Sequence, residues 1–416
     1  MIHHAGMKEN QDTFSAWQSA RLWIRMGVHV AFWLLLLVWI VQPQSPSRFY
    51  RIGIIASFGI LFLIALWPRV RMRLMAFVRR RIRLADILMV NLLLFIVLAE
   101  ASVWVLGEVY DSPLLAPADA YAAGRIRHHR GRPHGIHNGQ RLNALGFFDT
   151  EFESSRKPDV RRIVALADSF GAGVVPYEQN FLTLLDSELD EQEATEVYNF
   201  GIPGAGPPEY LYLYRTEACT FDPDKVLLCF FIGNDFVETQ TRSILHADRL
   251  RSLALVKRLI ATKGVAGDVA EPVLDEPTFM EESFLQIEQR RLDICRVTPD
   301  HHMRRRIEDT FRYLDDLYGE TGSRLRVALI PDEYQVNDAL YNALVKDKGN
   351  EFDRDRPNRL LHEYLDARGI PYLDLLGALR EAESMSPTYK PRDTHWNVLG
   401  NSVAARALAR WLEKES

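Results

Sequence analysis

The stretch RIVALADSFGAG, residues 162–173, combines two patterns that decide the fold. Its first half, RIVALA, is a short run typical of a β-strand, and a helix-like stretch follows Ser169. A serine at such a strand-to-helix turn has two functions open to it. It caps the helix that follows, or its hydroxyl is presented for chemistry. The choice depends on what the rest of the chain places beside it.

Strand-like and helix-like segments alternate from there to the end of the sequence. KVLLCFFIG at residues 225–233 is an apolar run typical of a strand buried on both faces, and residues 397–414 form an amphipathic helix pattern. Strands that alternate with helices predict an α/β fold, a parallel sheet with helices on both faces. The charged, helix-rich residues at about 239–303 interrupt the alternation and predict a helical insert.

Polar clusters follow three of the predicted strands. DS at residues 168–169 follows RIVALA, GIPGAG at residues 201–206 follows EVYNF, and GND at residues 233–235 follows KVLLCFFI. A fourth cluster, RDTHWN at residues 392–397, comes just before the last helix. Because the active sites of such sheets lie beyond the carboxyl ends of the strands, we expect these clusters to meet there.

The four clusters contain the groups that acyl transfer requires. A serine hydroxyl is a poor nucleophile until a base takes its proton, and a histidine held by a carboxylate does this. Ser169 supplies the hydroxyl, His395 the base and Asp393 the carboxylate. Hydrogen-bond donors must also face the oxygen on which negative charge develops. The backbone N–H groups of Ser169 and Gly204 and the side-chain amide of Asn234 are the candidates.

Each of these residues has a simpler explanation when it is taken alone. Ser169 could be a helix cap, and Asn234 could form a turn. The glycines of residues 201–206 could serve a turn, and they resemble a dinucleotide fingerprint only loosely. His395 could pack against the tryptophan that follows it. The order of the clusters and their places on the predicted sheet favour catalysis.

The same four clusters resemble a known family. ADSFGAG, NFGIPGAG, IGND and DTHWN look like blocks I, II, III and V of the SGNH (GDSL) hydrolase superfamily, and the resemblance covers roughly residues 143–416. It implies a three-layer α/β/α, flavodoxin-like fold and a serine esterase, lipase, deacetylase or O-acetyltransferase. It also implies Ser169 as nucleophile, Ser169, Gly204 and Asn234 as the oxyanion hole, and His395 as base.

The sequence departs from the family pattern at two positions. The usual Gly-Asp-Ser has an alanine, Ala167, in place of its glycine, and alanine is small enough for the turn. The usual aspartate three residues before the histidine is Arg392, whereas Asp393 lies two residues before His395. This DTHW form is similar to the SGNH-like domains of alginate-type O-acetyltransferases, where an Asp-x-His pair serves.

The N-terminal quarter predicts a membrane region. Three apolar segments approach the length that crosses a bilayer, at about residues 24–43, 51–67 and 86–107. The third contains Asn91 and Glu100, which weaken it. The arginine-rich residues 69–83 are predicted to be a short cytoplasmic loop rather than a nucleic-acid patch. The domain after them is then expected outside the cytoplasm, in a multi-pass protein of the bacterial inner membrane.

The remaining features of the sequence bear on which metals, cofactors and binding partners are expected. Residues 109–142 are predicted to be a linker, in which His128, His129, His134 and His137 suit a surface loop better than a metal site. A net charge of −5 gives no reason to expect a nucleic acid. The three cysteines suit core thiols better than a disulfide framework or a zinc site. Nothing in the proposed chemistry requires a metal or an organic cofactor.

The leading hypothesis is a membrane-anchored serine esterase that acts on O-acyl esters, with the O-acetyl groups of a carbohydrate as the favoured substrate. A second hypothesis is an O-acetyltransferase that passes the acyl group to an extracytoplasmic polysaccharide, with a membrane partner delivering that group. A third is a catalytically silent glycan-binding domain. The expected partners are therefore an ester substrate and the lipid bilayer.

Overall fold

The computed structural model describes isolated residues between 21 and 33, residue 126, and residues 68–109, 129–239, 274–346 and 348–414. The chain divides into two compact units. The first unit comprises Met1–Pro117 with Ile244–Ala254, and the second comprises Ala118–Ser243 with Leu255–Ser416. Apart from a few helical residues between 24 and 33, the first two predicted spans lie outside the described residues.

The described part of the first unit is dominated by one helix, α1, at Pro68–Val109. Its segment Arg81–Leu106, which contains an 18-residue stretch with a mean hydropathy of 2.3, is long and apolar enough to cross a membrane. The arginine-rich segment predicted to be a loop is helical and continuous with this apolar segment. That prediction was wrong because arginine, leucine and methionine are all good helix formers, so charge alone does not end a helix.

The second unit is built on the predicted parallel sheet. Its five strands are β3 at Arg161–Ala167, β4 at Thr195–Gly201, β5 at Lys225–Phe231, β6 at Leu325–Ile330 and β7 at Tyr372–Asp374. They lie in the order β4-β3-β5-β6-β7, and every neighbouring pair is parallel. This is the doubly wound order of flavodoxin-like sheets, in which ligands bind at the carboxyl ends beside the first strand.

Both faces of the sheet are buried, which explains the unbroken apolar runs. Along β3, Ile163 and Ala165 pack on one face, and Val164 and Leu166 pack on the other. The described helices of this unit that carry the functional loops or cover the sheet are α2 at Ser169–Ala172, α3 at Phe181–Asp190, α4 at Pro207–Thr216, α5 at Asp235–Glu238, α6 at Glu281–Arg291, α7 at His301–Thr321, α8 at Glu333–Val336, α9 at Asp338–Val345, α10 at Arg356–Asp366, α11 at Leu376–Glu383 and α12 at Val398–Glu413.

The second unit begins before the predicted boundary at residue 143. The short antiparallel strands β1 at Ile136–His137 and β2 at Gln140–Arg141 form a hairpin within the predicted linker. Ile126 and Leu142 are buried, with 4% and 6% of their surface exposed. The linker prediction rested on small and polar composition, which does not reveal single apolar anchors of this kind.

The described end of the predicted insert, residues 274–303, is part of the same core. Phe284 of α6 and Leu292, Ile294 and Cys295 after it are buried in the hydrophobic cluster that covers one face of the sheet. Cys229, on β5, is buried as well, and none of the three cysteines is in a disulfide. Residues 274–303 of the predicted insert therefore pack as a structural layer of the unit.

Glu333, the first residue of α8, is a buried acid whose protonation is coupled to folding. Its Oε1 accepts a hydrogen bond from the Asn337 amide at 3.3 Å, and its Oε2 has no hydrogen-bond partner among the described residues. Burial, reinforced by the negative charge of Asp332, raises the pKa of Glu333 to about 8. The ordinary pKa of a glutamate carboxyl is 4.5. Between this pH and about pH 8, the folded state keeps a proton on Glu333 that the unfolded chain releases.

The free energy of unfolding therefore falls as the pH rises through this window, and Glu333→Gln removes the effect. We expect the melting temperature of the variant, relative to wild type, to increase between about pH 5 and about pH 8.5. The difference in unfolding free energy at the upper pH should be on the order of a few kcal/mol. Thermal unfolding at several pH values measures it, and a difference that is constant with pH would contradict the prediction.

Candidate active site

The nucleophile turn is built by the residues that directly follow β3. Asp168 caps the short helix α2, because its carboxylate accepts a hydrogen bond from the Phe170 N–H at 3.0 Å. The capping function that the sequence left open for Ser169 thus belongs to its neighbour. Ser169 instead occupies the first position of α2, and its side chain is only partly buried. Its hydroxyl is therefore available at the carboxyl edge of the sheet.

Close backbone contacts hold this turn against β4. A Cβ atom added at Gly201 would lie 2.5 Å from the backbone carbon of Gly171 and 2.6 Å from the backbone nitrogen of Ala172. The buried Asn199 side chain joins the same segments, donating to the Gly171 carbonyl at 2.8 Å and accepting from the Gly201 N–H at 2.8 Å. Glycine at position 201 is required because only it permits this approach.

We expect Gly201→Ala to destabilise the unit by about 1–3 kcal/mol, because backbone atoms cannot move aside for the added methyl group. The expected loss of esterase activity is larger than the loss of stability suggests, since α2 would be displaced. Gly319→Ala is the matched control: it lies on an exposed part of α7 with no atom within 4 Å of the added Cβ. That variant should be neutral or more stable by up to about 1 kcal/mol. Chemical denaturation of both variants tests the comparison, and equal effects would contradict it.

The structure brings the predicted serine, histidine and aspartate into one hydrogen-bonded chain. The His395 Nε2 lies 2.8 Å from the Ser169 Oγ, and the His395 Nδ1 lies 2.6 Å from the Asp393 Oδ1. The same Asp393 oxygen also accepts the His395 backbone N–H at 3.2 Å. With Nδ1 protonated towards the carboxylate, Nε2 is left as the acceptor for the serine proton. The two-residue spacing between aspartate and histidine is therefore compatible with a triad.

The Asp393 carboxylate is buried among groups that favour its charged form. Its Oδ2 accepts a hydrogen bond from the Thr278 hydroxyl at 2.5 Å and lies 3.4 Å from the Lys390 Nζ. Burial raises the pKa of Asp393, but the hydrogen bond and charge of His395, together with Thr278 and Lys390, outweigh it and hold the pKa below its usual range. The charged form of Asp393 is therefore favoured in this environment.

The predicted oxyanion donors follow three adjacent strands. Ser169 follows β3, Gly204 follows β4 and Asn234 follows β5, and β3 lies between the other two. Gly204 has a φ of +68° in a turn that the Ala205 N–H closes onto the Ile202 carbonyl at 3.0 Å. Such a φ favours glycine, so the requirement for glycine at this position is conformational. The three predicted donors thus lie at one edge of the sheet.

Asn234 is linked directly to the nucleophile turn. Its Nδ2 donates to the Asp168 Oδ2 at 3.2 Å, and its side chain is buried. An amide nitrogen carries two hydrogens, so a second acceptor can be bound at the same time. Burial raises the pKa of the Asp168 carboxyl, although the Phe170 amide, His395 and Asn234 favour its charged form. Asp168 therefore positions both the helix and the amide.

The Asp332 carboxylate supports the loop that carries Asn234. A Cβ added at Gly233 would lie 2.0 Å from the Asp332 Oδ2, so this carboxylate packs directly beneath the loop. Arg291 lies between two buried acids, with its Nη1 3.3 Å from the Glu288 Oε1 and 3.8 Å from the Asp332 Oδ2. Burial and the charge of Asp332 raise the pKa of Glu288 well above its ordinary value. Burial thus favours the neutral form of Glu288, and the Arg291 guanidinium lies between the two acids.

The sequence analysis missed four groups around the site. Thr278 and Arg291 lie in the predicted insert, Asp332 follows β6, and Lys390 lies in the loop that carries Asp393 and His395. Lys390 carried a usable signal, because it is three residues before Asp393 and belongs to the same loop. Thr278 carried none: its contact with Asp393 joins residues 115 positions apart, and no motif surrounds it.

The histidines of the predicted linker do not assemble into a metal site in the described part of the chain. No group of three histidine, cysteine, aspartate or glutamate side chains is arranged there to hold a metal ion. His137 instead lies with its Nε2 2.9 Å from the Gly173 carbonyl oxygen, and its ring packs edge-on against Phe148. It thus contacts the end of the nucleophile turn.

Part of the chain matches a known protein family. Residues 297–416 match the SGNH hydrolase-like domain of the acetyltransferase AlgX, a stretch that contains Asp393 and His395 but begins after Ser169. No curated protein matches the chain.

Several solved structures are similar at low identity. The lipase/acylhydrolase from Enterococcus faecalis shares 14% identity at a TM-score of 0.35, covering 61% of this chain and 96% of that one. A catalytic mutant of the acetylxylan esterase Axe2 from Geobacillus stearothermophilus shares 13% at 0.35, covering 60% and 93%. A two-domain esterase active on acetylated mannans shares 11% at 0.36, covering 61% and 50%.

The resemblance indicated by the sequence motifs is therefore confirmed over the matched region. Residues 297–416 match the SGNH hydrolase-like domain of the AlgX type, and this match confirms, at the level of the family, the predicted class of enzyme, one that acts on ester bonds.

Proposed function

We propose that this protein is a serine-dependent enzyme that acts on O-acyl esters through an acyl-enzyme on Ser169. The observation that carries the proposal is the hydrogen-bonded chain from Asp393 through His395 to Ser169, with distances of 2.6 Å and 2.8 Å. A nucleophile, a base and an orienting carboxylate in reach of one another are the groups that acyl transfer requires. A structural histidine has no need of a partly exposed serine hydroxyl as its partner.

The reaction follows from these positions. His395 Nε2 takes the Ser169 hydroxyl proton as Oγ attacks the ester carbonyl carbon, and the carbonyl oxygen becomes an oxyanion. The Ser169 and Gly204 N–H groups and the Asn234 amide stabilise that charge. The carbon–oxygen bond to the leaving alcohol breaks, and His395 returns the proton to that alcohol. The acyl group remains on Ser169 Oγ until a second hydroxyl compound, activated by His395 in the same way, removes it.

The proposed acyl group is acetyl and the proposed substrate is an acetylated carbohydrate. Support comes from the match of residues 297–416 to the SGNH hydrolase-like domain of the acetyltransferase AlgX. Two of the similar structures, at 13% and 11% identity, are those of an acetylxylan esterase and of an esterase active on acetylated mannans.

We also propose that the protein is anchored in a membrane with its catalytic unit outside the cytoplasm. Support comes from α1, in which exposed apolar side chains such as Leu94, Phe95 and Val97 cover the segment Arg81–Leu106. Its arginine-rich N-terminal half would remain on the cytoplasmic side, because short basic segments near a span are retained there. A protease-protection assay on intact spheroplasts tests this, since only an external unit is cleaved.

The second candidate is acetyl transfer to a polysaccharide, favoured by the same family match and by the Asp-x-His spacing. The two candidates share the acyl-enzyme and differ in whether water or a sugar hydroxyl removes the acyl group. The third alternative, a silent glycan-binding domain, is disfavoured because the three side chains lie at reacting distances.

One experiment separates these candidates. The full chain in detergent is supplied with p-nitrophenyl acetate, with and without an unacetylated glycan, and free acetate and acetylated glycan are quantified. Acetate release alone supports the esterase, and acetylated glycan supports the transferase. Absence of both products from folded protein would contradict the proposed function and return attention to the binding domain.

A further inference from the structure

The two oxygens of the Asp393 carboxylate have different partners. Oδ1 faces His395 and accepts hydrogen bonds from both the ring Nδ1–H and the backbone N–H of that residue. Oδ2 points the other way and accepts from the Thr278 hydroxyl at 2.5 Å, with the Lys390 Nζ farther off at 3.4 Å. Because Lys390 Nζ also lies 3.5 Å from the Val174 carbonyl, its charge is shared. The threonine is therefore the close donor on this side of the carboxylate.

Thr278 reaches this position from the inserted segment, far from the catalytic loop in sequence. Its backbone N–H donates to the Pro391 carbonyl at 3.2 Å, and the next N–H, of Phe279, donates to the Arg392 carbonyl at 3.2 Å. These two bonds align the segment with the loop that carries Asp393. The loop needs such support at Arg392, whose φ of +45° is unfavourable for a residue with a side chain.

Because the Asp393 carboxylate is buried, the Thr278 hydroxyl is important for the orientation of that carboxylate. Asp393 has only 3% of its surface exposed, so water does not replace a missing donor freely. A carboxylate that can rotate presents its oxygens to His395 less often, and the imidazole then loses its orientation. A hydrogen bond to a charged group contributes about 1.5–3 kcal/mol, which corresponds to roughly 10–100-fold in a rate when it acts in the transition state.

We propose that Thr278 is a positioning residue of the triad: its hydroxyl fixes the Asp393 carboxylate so that Oδ1 faces His395. The inserted segment then completes the reacting centre rather than only covering the sheet. This inference rests on the proposed acyl-enzyme function of Ser169. It assigns no contact with the substrate to Thr278.

Thr278→Val and Thr278→Ser are the test pair. Valine keeps the shape and β-branching and removes the hydroxyl, whereas serine keeps the hydroxyl. With p-nitrophenyl acetate and the full chain, we expect valine to lower kcat by roughly 10–100-fold while KM stays within about twofold. Serine should retain kcat within about threefold. Thr278→Ala, which adds no bulk, should reproduce the valine loss and replaces it if the valine variant fails to fold.

Two outcomes overturn the inference. The first is wild-type kcat in the folded valine and alanine variants, and the second is an equal loss in all three variants, which would indicate a role for shape instead of the hydroxyl. The Ser169→Ala variant, measured in parallel, separates this failure from that of the proposed function. If Ser169→Ala is inactive and Thr278→Val is fully active, only the Thr278 inference is lost. If Ser169→Ala keeps its activity, the acyl-enzyme itself is wrong.

Discussion

Ser169→Ala is expected to reduce the hydrolysis of p-nitrophenyl acetate by at least about 10³-fold in a protein that remains folded. The reduction follows because alanine has no oxygen to carry the acyl group, whereas His395 and the oxyanion donors stay in place. Stability should change little, because Asp168 rather than Ser169 caps α2. Initial rates at saturating substrate, together with thermal unfolding, measure both effects.

Ser187→Ala provides the matched control. Its hydroxyl donates to the Thr183 carbonyl within α3 at 3.2 Å, on an exposed surface of the same unit. We expect wild-type turnover for this variant. Folded Ser169→Ala protein with unchanged turnover would show that another group attacks the ester, and the account of the site would have to be abandoned.

Asp393→Asn should be the second most damaging change, with a loss of about 10³–10⁴-fold in kcat. The Thr278 hydroxyl and the Lys390 ammonium both require an acceptor, so the amide oxygen of asparagine should face them. Its NH2 group is then left facing the His395 Nδ1. That donor favours the tautomer with the proton on Nε2, and such an imidazole cannot accept the Ser169 proton. Steady-state kinetics of the full chain measures the loss.

The matched control for this change is Arg392→Asn, since position 392 is where the wider family has its usual aspartate. Asparagine tolerates the positive φ of 45° at this position better than most residues do. We expect activity within about threefold of wild type, because the fixed contact of Arg392 in the site is made by its backbone carbonyl. Full activity of the Asp393→Asn variant, or a loss of activity in the Arg392→Asn variant alone, would show that a residue other than Asp393 orients His395.

The sheet and the triad could be predicted from the sequence because both depend on local patterns. Each strand is a short apolar run with two buried faces, and each catalytic side chain comes directly after a strand or before a helix. Parallel strands bring those ends to one edge whatever the length of the chain between them. The order of the motifs was therefore sufficient to place Ser169, Asn234 and His395 together.

The supporting groups could not be predicted because they depend on packing between distant segments. Thr278 contacts Asp393 across 115 residues, and no motif marks Asp332, which contacts Gly233 from the loop after the neighbouring strand. The composition of a segment was also a misleading guide to its secondary structure where charge and helix propensity point to different structures. The arginine-rich segment before residue 86 was predicted to be a loop from its charge, whereas its residues are good helix formers and belong to α1.

The most direct test of the account is to label the full chain with a serine-directed fluorophosphonate and locate the adduct by peptide mass spectrometry. A nucleophilic serine attacks the phosphorus when a nearby base takes its proton, so the reaction reports the pairing of Ser169 with His395 and nothing about the natural substrate. The account predicts one adduct, on the peptide that contains Ser169, and none in the Ser169→Ala or His395→Ala variants. A folded protein that stays unlabelled, or carries the adduct on another residue, would contradict it.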